Sequence, residues 1–234
     1  MPRVFGWVLG ISTLVFTPMA SASLCQAPFM HDGGMVKLGG AGLMQLDAEL
    51  HFSNVHHQGA QCSAQVKGQA MVSLAGFPAS RSDVEYWFTV RDGTLQVYQE
   101  VNGQKVPVEG GFDLDLLGIF GYQQGVSQVG QQYPSQAFQV KAGKALQPFT
   151  VRTTTRTVEA KAPLQTVQGK QQCWPIRYDR HIGASQVSVK GLKIGTPEIR
   201  GEVTDWYCPD SRLVMRQDST QNGVPSYIEV QAVK

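Results

Sequence analysis

The 234-residue chain carries a formal net charge of +2. That near balance argues against nucleic acid as a partner, which is held by strongly basic surfaces. The length suits one domain, large enough to bury a substantial core without help from a metal.

Residues 1–22 read as a secretory signal peptide. Arg3 is the positive n-region, Val4 to Phe16 is an apolar run too short to span a bilayer comfortably, and Ala20-Ser21-Ala22 fits the A-x-A cleavage pattern. Losing Arg3 leaves a charge of 2 − 1 = +1. Leu24 precedes Cys25, where lipid attachment requires a small residue. The expected product is a soluble chain beginning at Ser23, in the periplasm of a Gram-negative cell. No further apolar stretch is long enough to cross a membrane.

Residues 23–43, rich in Gly, Pro and small side chains, read as an N-terminal arm held by Cys25; residues 44–234 form a single β-rich domain. Met44 to Phe52 alternates apolar and polar residues, the pattern of a strand with one wet face. Asn54 to Gly59 is expected to turn. Ala64 to Leu74 repeats the alternation with small residues, and Val72 lies on its apolar side. So many small residues on one face point to a tightly curved sheet or a close neighbour. Val84 to Arg91 and Leu95 to Val101 flank Asp92-Gly93, and Asn102-Gly103 begins a second hairpin turn. Phe112, Leu116, Ile119 and Phe120 fall at helical spacing, so one short helix is expected there. Tyr122 to Pro134 reads as loop.

Strands resume at Phe138 to Lys141, Phe149 to Thr157, Leu164 to Val167, Gln171 to Asp179, Gln186 to Val189, Ile199 to Tyr207, Leu213 to Asp218 and Tyr227 to Val233. No βαβ alternation occurs, so the sheet should be antiparallel. The fold class is therefore all-β with one short helix: a strongly curved antiparallel sheet, half-barrel or barrel-like.

Four cysteines remain after cleavage, and in an exported chain they read as two disulfides with three possible connectivities. Alternation puts Cys62 on the apolar side of its strand and Cys173 and Cys208 on the polar side of theirs. Partners on one face come within reach of each other, which favours Cys25–Cys62 and Cys173–Cys208.

The C-terminal third contains Val167-Gln168-Gly169, Cys173-Trp174, Ile176, Tyr178, Trp206-Tyr207-Cys208-Pro209 and Leu213-Val214. This run resembles exported bacterial β-rich domains of the DUF3108 type. Arg212 replaces a Gly usual before the Leu-Val, and the cysteines need not belong to that family. The resemblance implies a curved antiparallel sheet with a concave apolar face, and no known catalysis.

Little points to chemistry. His51, His56 and His57 cluster near a turn, but no carboxylate or thiolate completes a metal set. No G-x-S-x-G, S-x-x-K or phosphate-cradling motif occurs. Asp205, just before Trp206, is a candidate for partial burial and a raised pKa. The expectation is a chain with no catalytic residues, no metal and no cofactor. Among the aromatics, Trp174 and Trp206 are core fillers first. Trp87 should point away from Tyr86 and Phe88, onto the wet face, as a partner contact.

The leading functional expectation is a periplasmic, non-enzymatic binding module that holds an apolar ligand, such as a lipid acyl chain, on its concave face. Trp87, Val72, Trp174 and Trp206 are its candidate contacts. The alternative is a protein-interaction module: an envelope assembly factor, an inhibitor or an immunity protein. An open apolar cavity would favour the first. A core filled by Phe52, Phe88, Trp174 and Tyr178 would favour the second.

Overall fold

The computed structural model describes residues 24–42, 44–74, 80–91, 94–108, 121–122, 125–140, 147–189 and 192–234. The signal peptide expected at residues 1–22, the turn expected at Asp92-Gly93 and the helix expected at Phe112 to Phe120 lie outside them.

A 3₁₀ turn, Leu24–Gln26, precedes the strands. The first half contains β1 (Met35–Ala41), β2 (Met44–Gln58), β3 (Gln61–Leu74), β4 (Ser80–Arg91), β5 (Thr94–Val101) and β6 (Gln104–Pro107). Four short strands follow: β7 (Gln132–Tyr133), β8 (Ala137–Val140), β9 (Phe149–Thr153) and β10 (Arg156–Val158). The second half contains β11 (Ala162–Thr166), β12 (Gly169–Ile182), β13 (Ser185–Val189), β14 (Leu192–Thr196), β15 (Ile199–Cys208), β16 (Leu213–Gln221) and β17 (Val224–Val233).

Among the described residues, fifteen strands form one sheet with the path β6-β5-β4-β3-β2-β1-β17-β16-β15-β12-β10-β7, while β9 and β11 also pair with β12 and β8 pairs with β9. Every described pairing is antiparallel, and no pairing among the described residues closes the path. The sheet is open and barrel-like. Glycines let it bend: a Cβ at Gly68 or Gly201 would collide with the carbonyl of Glu49 or Thr220 on the next strand.

Three expectations need correcting. The arm does not stay an arm: Met35–Ala41 is a central strand between β2 and β17. Its Gly-rich sequence hid the alternation in which Val36 and Leu38 are buried. The turn at Asn54 is instead a bulge, with Asn54 at φ 52°, and β2 runs on to Gln58. Phe149 to Thr157 is two strands, β9 and β10, both paired with β12.

The main core lies over the first half. Phe52 packs on Phe29 with ring centroids 4.9 Å apart and on Phe88 at 6.4 Å. Leu38, Leu50, Val66 and Val90 are buried around them. A second cluster gathers Tyr122, Val158, Trp174, Ile176, Tyr207 and Val214. Both expected disulfides are present, with Cα atoms 5.5 Å apart for Cys25–Cys62 and 4.2 Å for Cys173–Cys208. The reasoning behind the second pair needs revision. Cys173 and Cys208 are fully buried in the main core, not on a wet face. Here β12 is covered on both sides, with Cys173 in one cluster and Trp174 in the other.

Candidate functional site

Adjacent residues on β12, β15 and β16 point to opposite faces, and the two faces differ. On one, strand register aligns Ile176, Asp205, Gln217 and Ile228. Asp205 is fully buried. Its Oδ2 accepts from the Tyr122 hydroxyl at 2.6 Å, and its Oδ1 accepts from Gln217 Nε2 at 2.8 Å and from the Tyr178 hydroxyl at 3.4 Å. Arg180 Nη1 donates to Gln217 Oε1 at 3.0 Å. Arg156, also buried, lays its guanidinium 5.3 Å from the Tyr122 ring centre and 5.6 Å from that of Tyr133. Burial holds the Asp205 carboxyl above the usual range, opposed by the hydrogen bonds from Tyr122 and Gln217 and the charges of Arg180 and Arg156. Desolvation also pushes Tyr122 and Tyr178 well up. The two tyrosine hydroxyls stay protonated at neutral pH and donate to Asp205, which suits a structural clasp.

The opposite face of the same strands carries an open cleft of about 870 Å³. Register assembles its floor: Thr157, Arg177, Thr204, Asp218, Tyr227 and Ala41 stand in one row, one residue from each of six neighbouring strands. Trp206 Nε1 donates to Asp218 Oδ2 at 2.8 Å, and Arg216 Nε donates to Asp218 Oδ1 at 2.8 Å. Arg216 also reaches Glu229 at 3.4 Å and sits 4.9 Å from the Tyr227 ring centre. Arg177 pairs with Glu159 at 3.1 Å. Tyr227 is 37% exposed. The cleft thus combines aromatic surface, arginines already oriented by carboxylates, and threonines. Its floor is pinned from behind by the Asp205 network.

The four sequence-derived contacts are not gathered in one place. Trp87 lies on the outer side of β4, opposite Gln65 and Tyr98, with Lys105 Nζ 3.4 Å from its ring centre. Val72 is in β3, opposite Leu46 and Ser80. Trp174 is buried in the second cluster with Lys161 Nζ 4.8 Å from its ring centre. Trp206 is half-buried beside the cleft. Sequence reasoning singled out Asp205 and Trp206 but missed Arg177, Arg216 and Tyr227. The available signal was the Arg216-Gln217-Asp218 alternation opposite Trp206, which puts both charges on one face.

Around the imidazoles, His51 Nε2 lies 2.9 Å from Glu49 Oε1, and His57 Nε2 lies 3.0 Å from the Met30 carbonyl oxygen. No helix among the described residues is long and apolar enough to cross a membrane.

No protein-family model matches the chain, and no curated protein matches it. The fold is similar to that of a solved structure from Bacteroides fragilis, described as an exported protein with a YmcC-like fold. The identity is 10% and the TM-score 0.53, over 87% of this chain and 96% of that one. It is also similar to a structure from Parabacteroides distasonis, described as a lipoprotein, at 12% identity and a TM-score of 0.51, over 88% of this chain and 96% of that one. At such identities the likeness is one of fold: a curved antiparallel sheet that spans nearly the whole of both neighbours.

Proposed function

We propose that this chain is an exported, non-enzymatic protein-interaction module of the Gram-negative periplasm, and that its partner binds the outer cleft floored by Thr204, Asp218 and Tyr227. The observation that carries this reading is the division of the sheet. Phe29, Phe52 and Phe88 are buried together against the first half, where an acyl chain was expected to lie, and the cleft opens on the opposite face of β12, β15 and β16 from the Asp205 network. Tyrosine, tryptophan and arginine are the residues that most often anchor protein interfaces. Carboxylates that already fix the Arg216 side chain lower the ordering cost of binding. The N-terminal Arg3 and Ala20-Ser21-Ala22 pattern and the two disulfides support export to an oxidising compartment. The resemblance of the C-terminal residues to the DUF3108 type fits the same proposal.

The competing apolar-ligand reading is tested by native mass spectrometry of the protein from envelope extracts, with titration of a fluorescent fatty acid. Under the proposal the disulfide-bonded polypeptide carries no lipid and the probe does not saturate. A stoichiometric lipid and a saturable titration would return the function to the concave face.

A further inference from the structure

The sequence contains two Asn-Gly pairs, Asn102-Gly103 and Asn222-Gly223. Each is the two-residue turn of a hairpin: Val101 pairs with Gln104 across the first, and Gln221 with Val224 across the second. Both residues of each pair have positive φ, at 52° and 77° in the first and 47° and 79° in the second. That is the turn whose twist matches its flanking strands. Both asparagines are exposed. Backbone shape and exposure therefore make the two sites alike.

They differ in what holds the side chain. Asn222 Oδ1 accepts from the Arg200 N–H at 3.0 Å, and its Nδ2 donates to the Glu198 carbonyl at 3.0 Å. Its own N–H donates to the Arg200 carbonyl at 2.8 Å. The β16–β17 turn is thereby fastened to the start of β15. The Asn102 side chain has no hydrogen-bond partner among the described residues. Its turn also serves an edge strand: among the described residues β6 pairs only with β5.

An asparagine before glycine is prone to lose its side-chain amide, because glycine has no side chain to screen its backbone nitrogen. That nitrogen attacks Asn Cγ and closes a five-membered imide. The Cγ–Nδ2 bond breaks, and the amide nitrogen leaves as ammonia with the proton of the glycine N–H. Water then opens the imide at either carbonyl, leaving aspartate or isoaspartate. The attack needs the asparagine side chain to rotate, so hydrogen bonds that hold both ends of its amide must break first.

We propose that Asn102 is a site of spontaneous deamidation in the folded protein, and that the clamp on Asn222 protects the second pair. The product carboxylate joins Asp83, Glu85 and Glu100, which line one surface pocket with Asn102. Isoaspartate also adds a main-chain methylene to a turn of two residues, which breaks the pairing of β6. Lys105, whose Nζ covers the Trp87 ring at 3.4 Å, lies on that strand.

The test is peptide mass spectrometry of the folded, disulfide-bonded protein held at mildly alkaline pH, with a urea-unfolded sample as reference. In the unfolded chain the two pairs are expected to convert at similar rates. In the folded protein Asn102 should convert at least about tenfold faster than Asn222, where two side-chain hydrogen bonds oppose the rotation. Both aspartate and isoaspartate should appear at position 102, and trypsin should cut the isoaspartate form faster after Lys105. Equal rates in the folded protein, faster conversion at Asn222, or aspartate alone at position 102 would each overturn the proposal. Unchanged cleavage after Lys105 would overturn the loosening of β6.

Discussion

The Tyr122 hydroxyl donates to Asp205 Oδ2 across 2.6 Å, joining residues 83 positions apart. It fastens the connecting segment between the two halves of the chain to the back of the cleft floor. Asp205→Ala would leave the buried donors of Tyr122 and Gln217 without their acceptor, at a cost of about 2–4 kcal/mol. Asp205→Asn keeps an acceptor oxygen and should cost less. Urea unfolding of the two variants checks the order; equal and negligible losses would show that the network does not hold the floor.

The same carboxyl gives a pH dependence of defined sign. Burial, the largest influence, raises Asp205 above its ordinary value of 3.8. The folded chain thus keeps a proton that the unfolded chain has released. The stabilisation is complete below the unfolded value and declines as pH rises through the folded one. The stability of the wild type relative to Asp205→Asn should therefore fall as pH rises upward from about 4. A difference that stays constant or grows over that interval would contradict the upward shift of the buried carboxyl.

The Cys173–Cys208 disulfide joins β12 and β15 with a separation of 35 residues. In the chain-entropy picture a loop of that size contributes about 3–4 kcal/mol. A Cys173→Ser, Cys208→Ser double variant should lose that much in denaturant unfolding, and peptide mapping of the wild type should recover both Cys25–Cys62 and Cys173–Cys208.

Trp87 illustrates an exposed-face aromatic with a structural occupation. Lys105 covers its ring, and its Nε1 is buried without a hydrogen-bond partner among the described residues. Trp87→Phe keeps most of the ring and deletes the unpaired N–H, so thermal unfolding should show a change near zero or a gain. Trp87→Ala should cost about 1 kcal/mol through the lost cation–π contact and packing. Neither should alter partner binding at the cleft.

Much of the fold was legible because antiparallel strands with one wet face write their period into the sequence. β3, β4, β5 and β16 follow alternating residues closely. β1 escaped because Gly39 and Gly40 supply no side chains to alternate. The parity of Cys173 misled because β12 is covered on both sides at that end, so polar neighbours such as Arg177 did not mark a wet face for the cysteine. The cleft was illegible for a different reason. Thr157, Arg177, Thr204, Asp218 and Tyr227 are scattered along 71 positions, from 157 to 227, and only strand register brings them into one row. Asp205 could be suspected beside Trp206, but its partner Tyr122 sits in a stretch that reads as loop.

The most direct measurement is photocrosslinking in cells, with a photoreactive residue placed at Thr204 on the cleft floor and, as control, at Gln69 on the exposed side of β3. The proposed function predicts a discrete adduct with one protein from Thr204 and none from Gln69, lost when Tyr227→Ala and Arg177→Glu are introduced together into a chain that still folds. The same adducts from both positions, or an adduct from Thr204 that survives those substitutions, would contradict a partner seated in the cleft.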